Sequence, residues 1–261
     1  MIGQPKRLAS TVLDKVWGAP DTEPWFRNPA RRKIGEIWFS ASDSLPILVK
    51  LLFTSDNLSV QVHPQDEYAR LHHNSRGKTE IWHILRAEPD AKVAIGLREK
   101  LSPERLRAAS LSGEIMDLLN WLPARVGDTF FVPAGAVHAI GGGLALCEIQ
   151  QHSDVTYRLY DYGRPRELHL DHALAVCLPG PLAARTQLPF ECAYFRAQPL
   201  TVNGIVTVDS PARNTIYVAI SGAGSMGGEP FQAGEAWEIP EGAPPIEITG
   251  ENAVFLLASE A

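Results

Sequence analysis

Several side chains in this 261-residue sequence have the types and spacing needed to hold a divalent metal ion. Gln61 and His63 stand two apart in the alternating run Leu58-Ser59-Val60-Gln61-Val62-His63. Strand residues two apart share a face, so both side chains point the same way. His138 closes the pattern Gly127-x5-Pro133-x-Gly135-x2-His138. There the glycines permit tight corners, the proline ends one strand because it cannot donate to a ladder, and the histidine opens the next. The carboxylate has two candidates. Glu67 follows His63 by four, but Pro64 interrupts the strand and Asp66-Glu67 reads as a solvated turn. Glu80 opens the next β-rich run, Gly77-Lys78-Thr79-Glu80-Ile81-Trp82, and is the preferred candidate. Two imidazoles, a carboxylate and an amide oxygen, with no thiolate, suit Zn, Mn, Fe or Co. The remaining histidines read differently. His72 and His73 fit an exposed loop, His83 alternates away from Ile81 and Leu85, and His152, His169 and His172 flank polar segments.

The elements that must position these groups are mostly strands. Residues 1 to 33 hold Pro20, Pro24 and Pro29 and read as irregular backbone wrapped on a surface. Glu36 to Ser40, Leu58 to His63, Thr79 to Leu85, Ala91 to Leu97, Thr129 to Val132, Ala145 to Gln150 and Thr156 to Tyr160 read as short strands. Ile47 to Phe53 is nearly all apolar and suits a strand buried on both faces. Between strands the period shifts. Ser102-Pro103-Glu104 is a helix start, and Leu106, Ala109 and Ser110 continue it to Gly113. Ile115, Leu118, Leu119 and Leu122 line one face of an expected second helix ending near Pro123. Val126 to Ala136 and Ala233 to Ala243 share one pattern: small, Gly, acid, x, aromatic, x, branched, Pro, x, Gly, Ala. Each copy describes a turn, a short strand and a proline-glycine corner. Past the corner the first copy has His138 and the second has Pro245, so only one copy keeps a ligand.

Composition sets the outer limits. Apolar residues are 45% and charged residues 21%, the balance of a globular protein that can build a sizeable core. Gly 21 and Pro 20 favour turn-rich β structure over a helical bundle. Lys plus Arg is 24 against Asp plus Glu 30, so bulk attraction to nucleic acid is not expected. Any phosphate must be held by a few placed cations. Cys147, Cys177 and Cys192 show no CxxC spacing, which speaks against a disulfide scaffold or thiolate zinc. A reducing cytoplasm is the expected setting, with no signal peptide and no membrane span.

The spacing from Gly127 to His138 is similar to the second motif of the cupin superfamily, small barrels of antiparallel strands. A cupin usually has two histidines where this chain has Gln61 and His63. Four ordered segments narrow the likeness: Gln61 to Pro64, Gly77 to Leu85, Pro133 to Gly141, and Glu148 to Arg164. Together the chain resembles the type I mannose-6-phosphate isomerases in their short bacterial form, over roughly residues 12 to 175. The fold implied is mainly β: two cupin-like β-barrels of jelly-roll type with a small helical insertion in the first. The expected boundaries are an N-terminal wrapping segment (1–33), a catalytic cupin domain (34–164) with its insertion at about 102–123, and a degenerate cupin-like domain (165–261).

The resemblance implies a metal-dependent aldose–ketose isomerase, acting on a small phosphosugar and carrying Zn2+ or another divalent metal. Its metal ligands fall on Gln61, His63, Glu80 and His138, which selects Glu80 over Glu67. Its catalytic positions fall on Arg158, Lys78, Glu148 and Asp154. Lys78 and Asp154 are the candidates for ring opening, and Glu148 for proton transfer between C1 and C2. Arg158 would stabilise an enediolate or clamp an anionic oxygen. Lys50 and Arg164 are further candidates for the phosphate. Plainer roles also exist: Glu148 could merely support His138, Lys78 could be a solvated turn lysine, and Trp82, Tyr157 and Tyr160 could simply pack. Two other functions share these residues. One is a sugar-phosphate-binding cupin without catalysis, and the other a cupin oxygenase. The cationic Lys78 and Arg158 argue for an anionic, non-redox substrate.

Overall fold

The run Ile47–Thr54 has no polar face to offer to water, and all eight of its residues are buried. It can be so only in the middle of a layered structure. In a computed structural model that describes residues 3–41 and 45–261, this strand lies between Leu144–Gln151 on one side and Ile34–Ser40 on the other. The seven-stranded sheet continues from Leu144–Gln151 through Glu80–Ala87 and Thr129–Val132 to Arg185–Thr186. A five-stranded sheet faces it, in the order Tyr157–Tyr160, Val60–Val62, His138–Ile140, Lys92–Leu97, Leu119–Pro123. Trp82, Ile84 and Leu146 from the large sheet pack with Val93, Ile95 and Ile140 from the small one. Neighbouring strands in these two sheets run antiparallel, and the architecture is mainly β and cupin-like.

A second seven-stranded sheet holds the C-terminal third. Its long members are Phe195–Val208, Thr215–Met226 and Ile246–Glu260. Ile47, Val49, Leu51 and Phe53 on the outward face of the buried strand pack with Phe195, Ile216, Val218 and Leu256. The other side chains of that strand face inward, and Leu52 packs in the core between the first two sheets. Burial on both faces, expected from composition, thus has two distinct partners.

Three local expectations change. Residues 1 to 33 are not all irregular: Ala9–Ala19 is an eleven-residue strand paired with Ile34–Ser40. Leu119–Pro123 is a strand, not the second half of a helix. The helix stops at Leu118 because Leu119 is extended, and Trp121 and Leu122 pair with Ala94 and Val93. Unpaired sheet-edge hydrogen bonds outweigh a four-residue helical pattern here. Asp66–His73, read as a turn and loop, is a helix that carries Glu67, His72 and His73 on its exposed surface. The helix at Pro103–Ser112 forms as its start signals predict. Ser102 Oγ accepts from the Arg105 N–H at 3.2 Å, and Gly113 ends it in the left-handed region. Among the described residues no helix is long and apolar enough to cross a membrane, and the three cysteines are free.

The two copies of the repeated pattern adopt one local structure. Thr129–Val132 and Ala236–Ile239 are both strands, and each is preceded and followed by a glycine at positive φ. Ala136 N–H donates to Pro133 O at 3.0 Å, and Ala243 N–H to Pro240 O at 3.1 Å. Their surroundings differ. A methyl on Gly127 would meet nothing within 4 Å, whereas one on Gly234 would lie 1.8 Å from Trp25 O. Gly127→Ala should therefore cost only the strain of its backbone angle, about 1 kcal/mol. Gly234→Ala should cost several times more, because the backbone around Trp25 must move. Urea unfolding of both variants checks this; equal midpoints would mean that the Trp25 contact is not rigid.

Candidate metal centre and active site

The short strand Val60–Val62 is the axis of the site. Gln61 lies directly across from His138 on one neighbour and from Arg158 on the other. In the large sheet, Glu148 lies across from Trp82 on one side and from Lys50 on the other, while Glu80 pairs with Gln150. Cross-strand register thus brings together side chains up to about a hundred residues apart in sequence.

Both histidines are aimed by backbone carbonyls. His63 Nδ1 lies 2.9 Å from Val155 O, and His138 Nδ1 lies 2.8 Å from Ala136 O. A carbonyl only accepts, so Nδ1 carries the proton in each ring and Nε2 presents a lone pair. His63 Nε2 lies 3.8 Å from Glu80 Oε2, and His138 Nε2 lies 3.7 Å from Glu80 Oε1. Donor atoms of these three residues all lie within 4.8 Å of one another, and all three side chains are buried. Two donors about 2 Å from a shared ion are at most about 4 Å apart. Both imidazole–Glu80 separations meet that limit, and closing the rest of the 4.8 Å spread takes only a small inward shift of the side chains. The Gln61 amide joins it, its Nε2 lying 3.3 Å from His138 Nε2. The amide can offer its oxygen to the same point by a half-turn. Burial drives the His63 pKa well below its ordinary value, with the Lys78 charge adding to the effect. Burial likewise lowers His138 to about 4. Both imidazoles are therefore neutral at physiological pH, as metal ligands must be.

Beside the triad lies a buried set of alternating charges. Lys78 Nζ contacts Glu80 Oε2 at 2.5 Å and His63 Nε2 at 3.0 Å. It stands 3.8 Å from Glu148 Oε1, which lies 3.3 Å from Lys50 Nζ. Trp82 Nε1 donates to both Glu80 Oε1 and Glu148 Oε2, each at 3.1 Å. Lys50 also sits over the Trp38 ring at 4.2 Å. Burial works against the Lys78 ammonium, but Glu148 and Glu80 outweigh it and hold its pKa above the lysine value. Burial also works against the Glu148 carboxylate, yet Lys78 and Lys50 hold its pKa below the usual range. Glu80 goes the other way, raised to about 7 by burial and then by the Glu148 charge. Lys50 is lowered, chiefly by burial.

Of this set, Lys50, Lys78 and Glu148 open onto a cavity of about 420 Å³ that the buried triad itself does not line. Gln61, Lys50, Lys78 and Glu148 line it together with Asp154, Arg158, Arg166 and His169. The structure therefore brings the sequence-derived residues to one place: His63, Glu80 and His138 in the buried triad, Gln61 and Lys78 against it, and Glu148, Asp154 and Arg158 along the cavity. Asp154 is exposed. Glu67 is exposed on its helix, away from the triad. Arg164 does not line the cavity; it is held by Asn57 O at 2.9 Å and Asp56 at 2.8 Å. Lys50 was visible as a lone cation within a strand expected to be buried on both faces. Trp82 is buried, but its N–H does more than pack. Arg166 and His169 lie in a loop and a helix cap, where no periodicity points to them.

A family model described as phosphomannose isomerase type I, catalytic domain, matches residues 7–80. The mannose-6-phosphate isomerase ManA of Bacillus subtilis is 36% identical over 231 residues, which cover 80% of this chain and 73% of that protein. The chain belongs to the type I phosphomannose isomerases. A mannose-6-phosphate isomerase of Streptococcus mutans is 39% identical over 193 residues, covering 72% of this chain and 58% of that protein. Among solved structures, the mannose 6-phosphate isomerase from Bacillus subtilis superposes with a TM-score of 0.84 at 25% identity, over 97% of this chain and 99% of that one. A mutant phosphomannose isomerase from Salmonella typhimurium shares the fold at 15% identity, with a TM-score of 0.77 over 98% of this chain and 100% of that one.

In this phosphomannose isomerase the proton that competes with a metal is the one on Glu80, since both imidazoles stay neutral. A carboxyl raised to about 7 is protonated below that pH, and only its ionised form is a ligand. Apparent affinity for a divalent metal should therefore fall by about tenfold per pH unit below about pH 7. Equilibrium dialysis with metal analysis reads this directly. An affinity unchanged down to about pH 5.5 would mean that no proton on Glu80 competes with the metal in that range.

Proposed function

We propose that the chain interconverts mannose 6-phosphate and fructose 6-phosphate through a cis-enediolate, as a metal-dependent aldose–ketose isomerase. The observation that carries this reading is the convergence of two neutral imidazoles and Glu80 beside the buried Lys78–Glu148 pair, on a cavity lined by arginines. Gln61, His63, Glu80 and His138 would hold the metal, with zinc favoured by the nitrogen and oxygen donor set. When bound, a divalent metal supplies Lewis-acid stabilisation of charge developing on the sugar oxygens.

The chain's own groups divide the proton work. Lys78, kept charged by its two carboxylates, donates a proton as the sugar ring opens, and Asp154 accepts the other proton of that step. Glu148 stays ionised beside Lys50 and Lys78, and its carboxylate moves the proton between C1 and C2. Arg158 presents a planar fork of donors to the enediolate oxygens. The buried surroundings of Glu80 and Glu148 limit water at the reacting carbons and strengthen each of these interactions.

The domain reading belongs to the same proposal. Residues 34–164, joined in their sheet by Ala9–Ala19 and Arg185–Thr186, form the catalytic cupin-like barrel with its insertion at about 102–123, and the remainder of 165–261, from Phe195 onward, forms a second barrel without metal ligands. Residues 1–33 tie the two together. The shared corner at Gly135 and Gly242 supports this reading, and the free cysteines fit a reducing cytoplasm.

A coupled assay for fructose 6-phosphate, run before and after chelation, tests the activity. Chelation should abolish turnover and a divalent metal should restore it. Glu80→Ala and His138→Ala should lose both metal and turnover. Arg158→Ala should keep near-normal metal content and lose kcat by about a hundredfold or more. Full metal and turnover in the first two variants would sink the assigned site, and an unchanged kcat in the third would end the role of Arg158.

A further inference from the structure

Val155 O, which fixes the His63 ring, stands in no regular element. It belongs to the turn that leaves the strand Leu144–Gln151, and the same turn carries Asp154. That turn must itself be held, because a carbonyl free to swing cannot orient an imidazole. Gln150 holds it. Its side chain is fully buried, stands two after Glu148, and lies directly across from Glu80. It therefore shares the face of both carboxylates, yet it does not line the cavity. Its Nε2 donates to Gln151 O at 2.7 Å and to Ser153 O at 2.6 Å. Two carbonyls flank that end of the amide, so it must be the nitrogen. Ser153 passes the constraint on. Its Oγ accepts from the Val155 N–H at 3.3 Å and lies 3.3 Å from Ser75 Oγ.

Gln151 joins the same turn to the segment that carries Lys78. Its Oε1 accepts from the Thr79 N–H at 2.9 Å, and its Nε2 donates to Asp66 Oδ1 at 2.9 Å. Asp66 Oδ1 also accepts from the Gly77 N–H at 2.7 Å. Two consecutive buried amides thus hold the neighbours of His63, Lys78 and Asp154 in one frame. Packing alone does not call for glutamine at position 150. Its Oε1 is buried without a partner, and an unmet acceptor carries a cost that an apolar side chain of the same shape would not. What the amide supplies is direction: two donors aimed at one turn.

Resting on the metal and isomerase reading above, we propose that Gln150 is a positioning residue for the reaction. By gripping the carbonyls of Gln151 and Ser153 it sets both the ring of His63 and the place of Asp154. His138 is independent of it, since Ala136 O on another turn holds that ring.

The test compares the full-length protein with Gln150→Met, which keeps length and volume but loses the donors. Equilibrium dialysis with Zn2+ should show an affinity lowered by about ten- to hundredfold. Proton NMR of the metal-free protein should show the His63 Nδ1–H moved upfield and exchanging faster with water. The His138 Nδ1–H should stay where it is. At saturating metal kcat should fall by about tenfold with KM nearly unchanged, because Asp154 moves too. Gly234→Ala, destabilised at Trp25, is the control for a general loss of stability and should alter neither the metal affinity nor the His63 proton. If Gln150→Met fails to fold, Ser153→Ala removes only the hydroxyl that holds the Val155 N–H and should shift both readouts the same way by a smaller factor. Unchanged affinity and an unchanged His63 proton in the variant that folds would overturn the positioning role. Equal loosening of the His63 and His138 protons would overturn it as well. Wild-type protein that binds Zn2+ but never isomerises would overturn the isomerase reading, and the role of Gln150 would then stand on the metal affinity and the His63 proton.

Discussion

Lys50, Glu148, Lys78 and Glu80 form a chain of alternating charges, all nearly inaccessible to water. Isolated, each buried charge would cost several kcal/mol; arranged alternately, neighbouring cations and anions stabilise one another. The strand Ile47–Thr54 must keep Lys50 in register with Glu148, and Glu80–Ala87 must keep Trp82 in register with the same residue. The indole N–H joins the two carboxylates and holds them at a fixed separation. Through Lys78 this chain touches the metal triad, and through Lys50, Lys78 and Glu148 it forms part of the cavity wall. It also explains why two carboxylates in one pocket differ: Glu148 sits between two ammonium groups and stays ionised, whereas Glu80 is the one that accepts a proton.

Much of this was legible in the sequence where chemistry and local geometry coincide. The alternation through Gln61 and His63 placed two donors on one face, and the glycine-proline corner delivered His138. Both follow from strand pleat and turn sterics, which act over a few residues. Glu80 was favoured over Glu67 because proline breaks a strand, and the Glu67 segment is a helix on the surface. What was not legible depends on pairing between distant strands. Leu119 and Leu122 fit a helix by spacing and became an edge strand because Lys92–Leu97 offered hydrogen-bonding partners. Ala9–Ala19, with polar and charged residues among its apolar ones, became a strand for the same reason. Arg166 and His169 reach the cavity from a loop and a helix cap, and no periodic signal marks such positions.

The repeated corner separates what a fold needs from what a function adds. Both copies keep the glycines, the proline and the strand between them, because the turn geometry demands these residues wherever it is used. Only the first continues into a ligand. In the second copy the turn before the strand seats Trp25, whose backbone lies against Gly234 and whose indole donates to Ile220 O at 2.8 Å.

The same part of the chain constrains the order in which the molecule can assemble. Lys6–Arg7 pairs with Ala236–Ile239, so one edge of the C-terminal sheet is supplied by residues more than two hundred positions upstream. On a ribosome these residues emerge long before their partner strand and must wait for it unpaired. Closure of such a long loop is slow, and an unpaired strand edge is exposed meanwhile. Residues 6 to 33 carry Lys6, Arg7, Lys15, Arg27, Arg31, Arg32 and Lys33 against Asp14, Asp21 and Glu23, a net positive stretch in a net negative chain. Excess positive charge on an unpaired strand edge discourages edge-to-edge association between nascent copies, so this charge acts in the interval before folding.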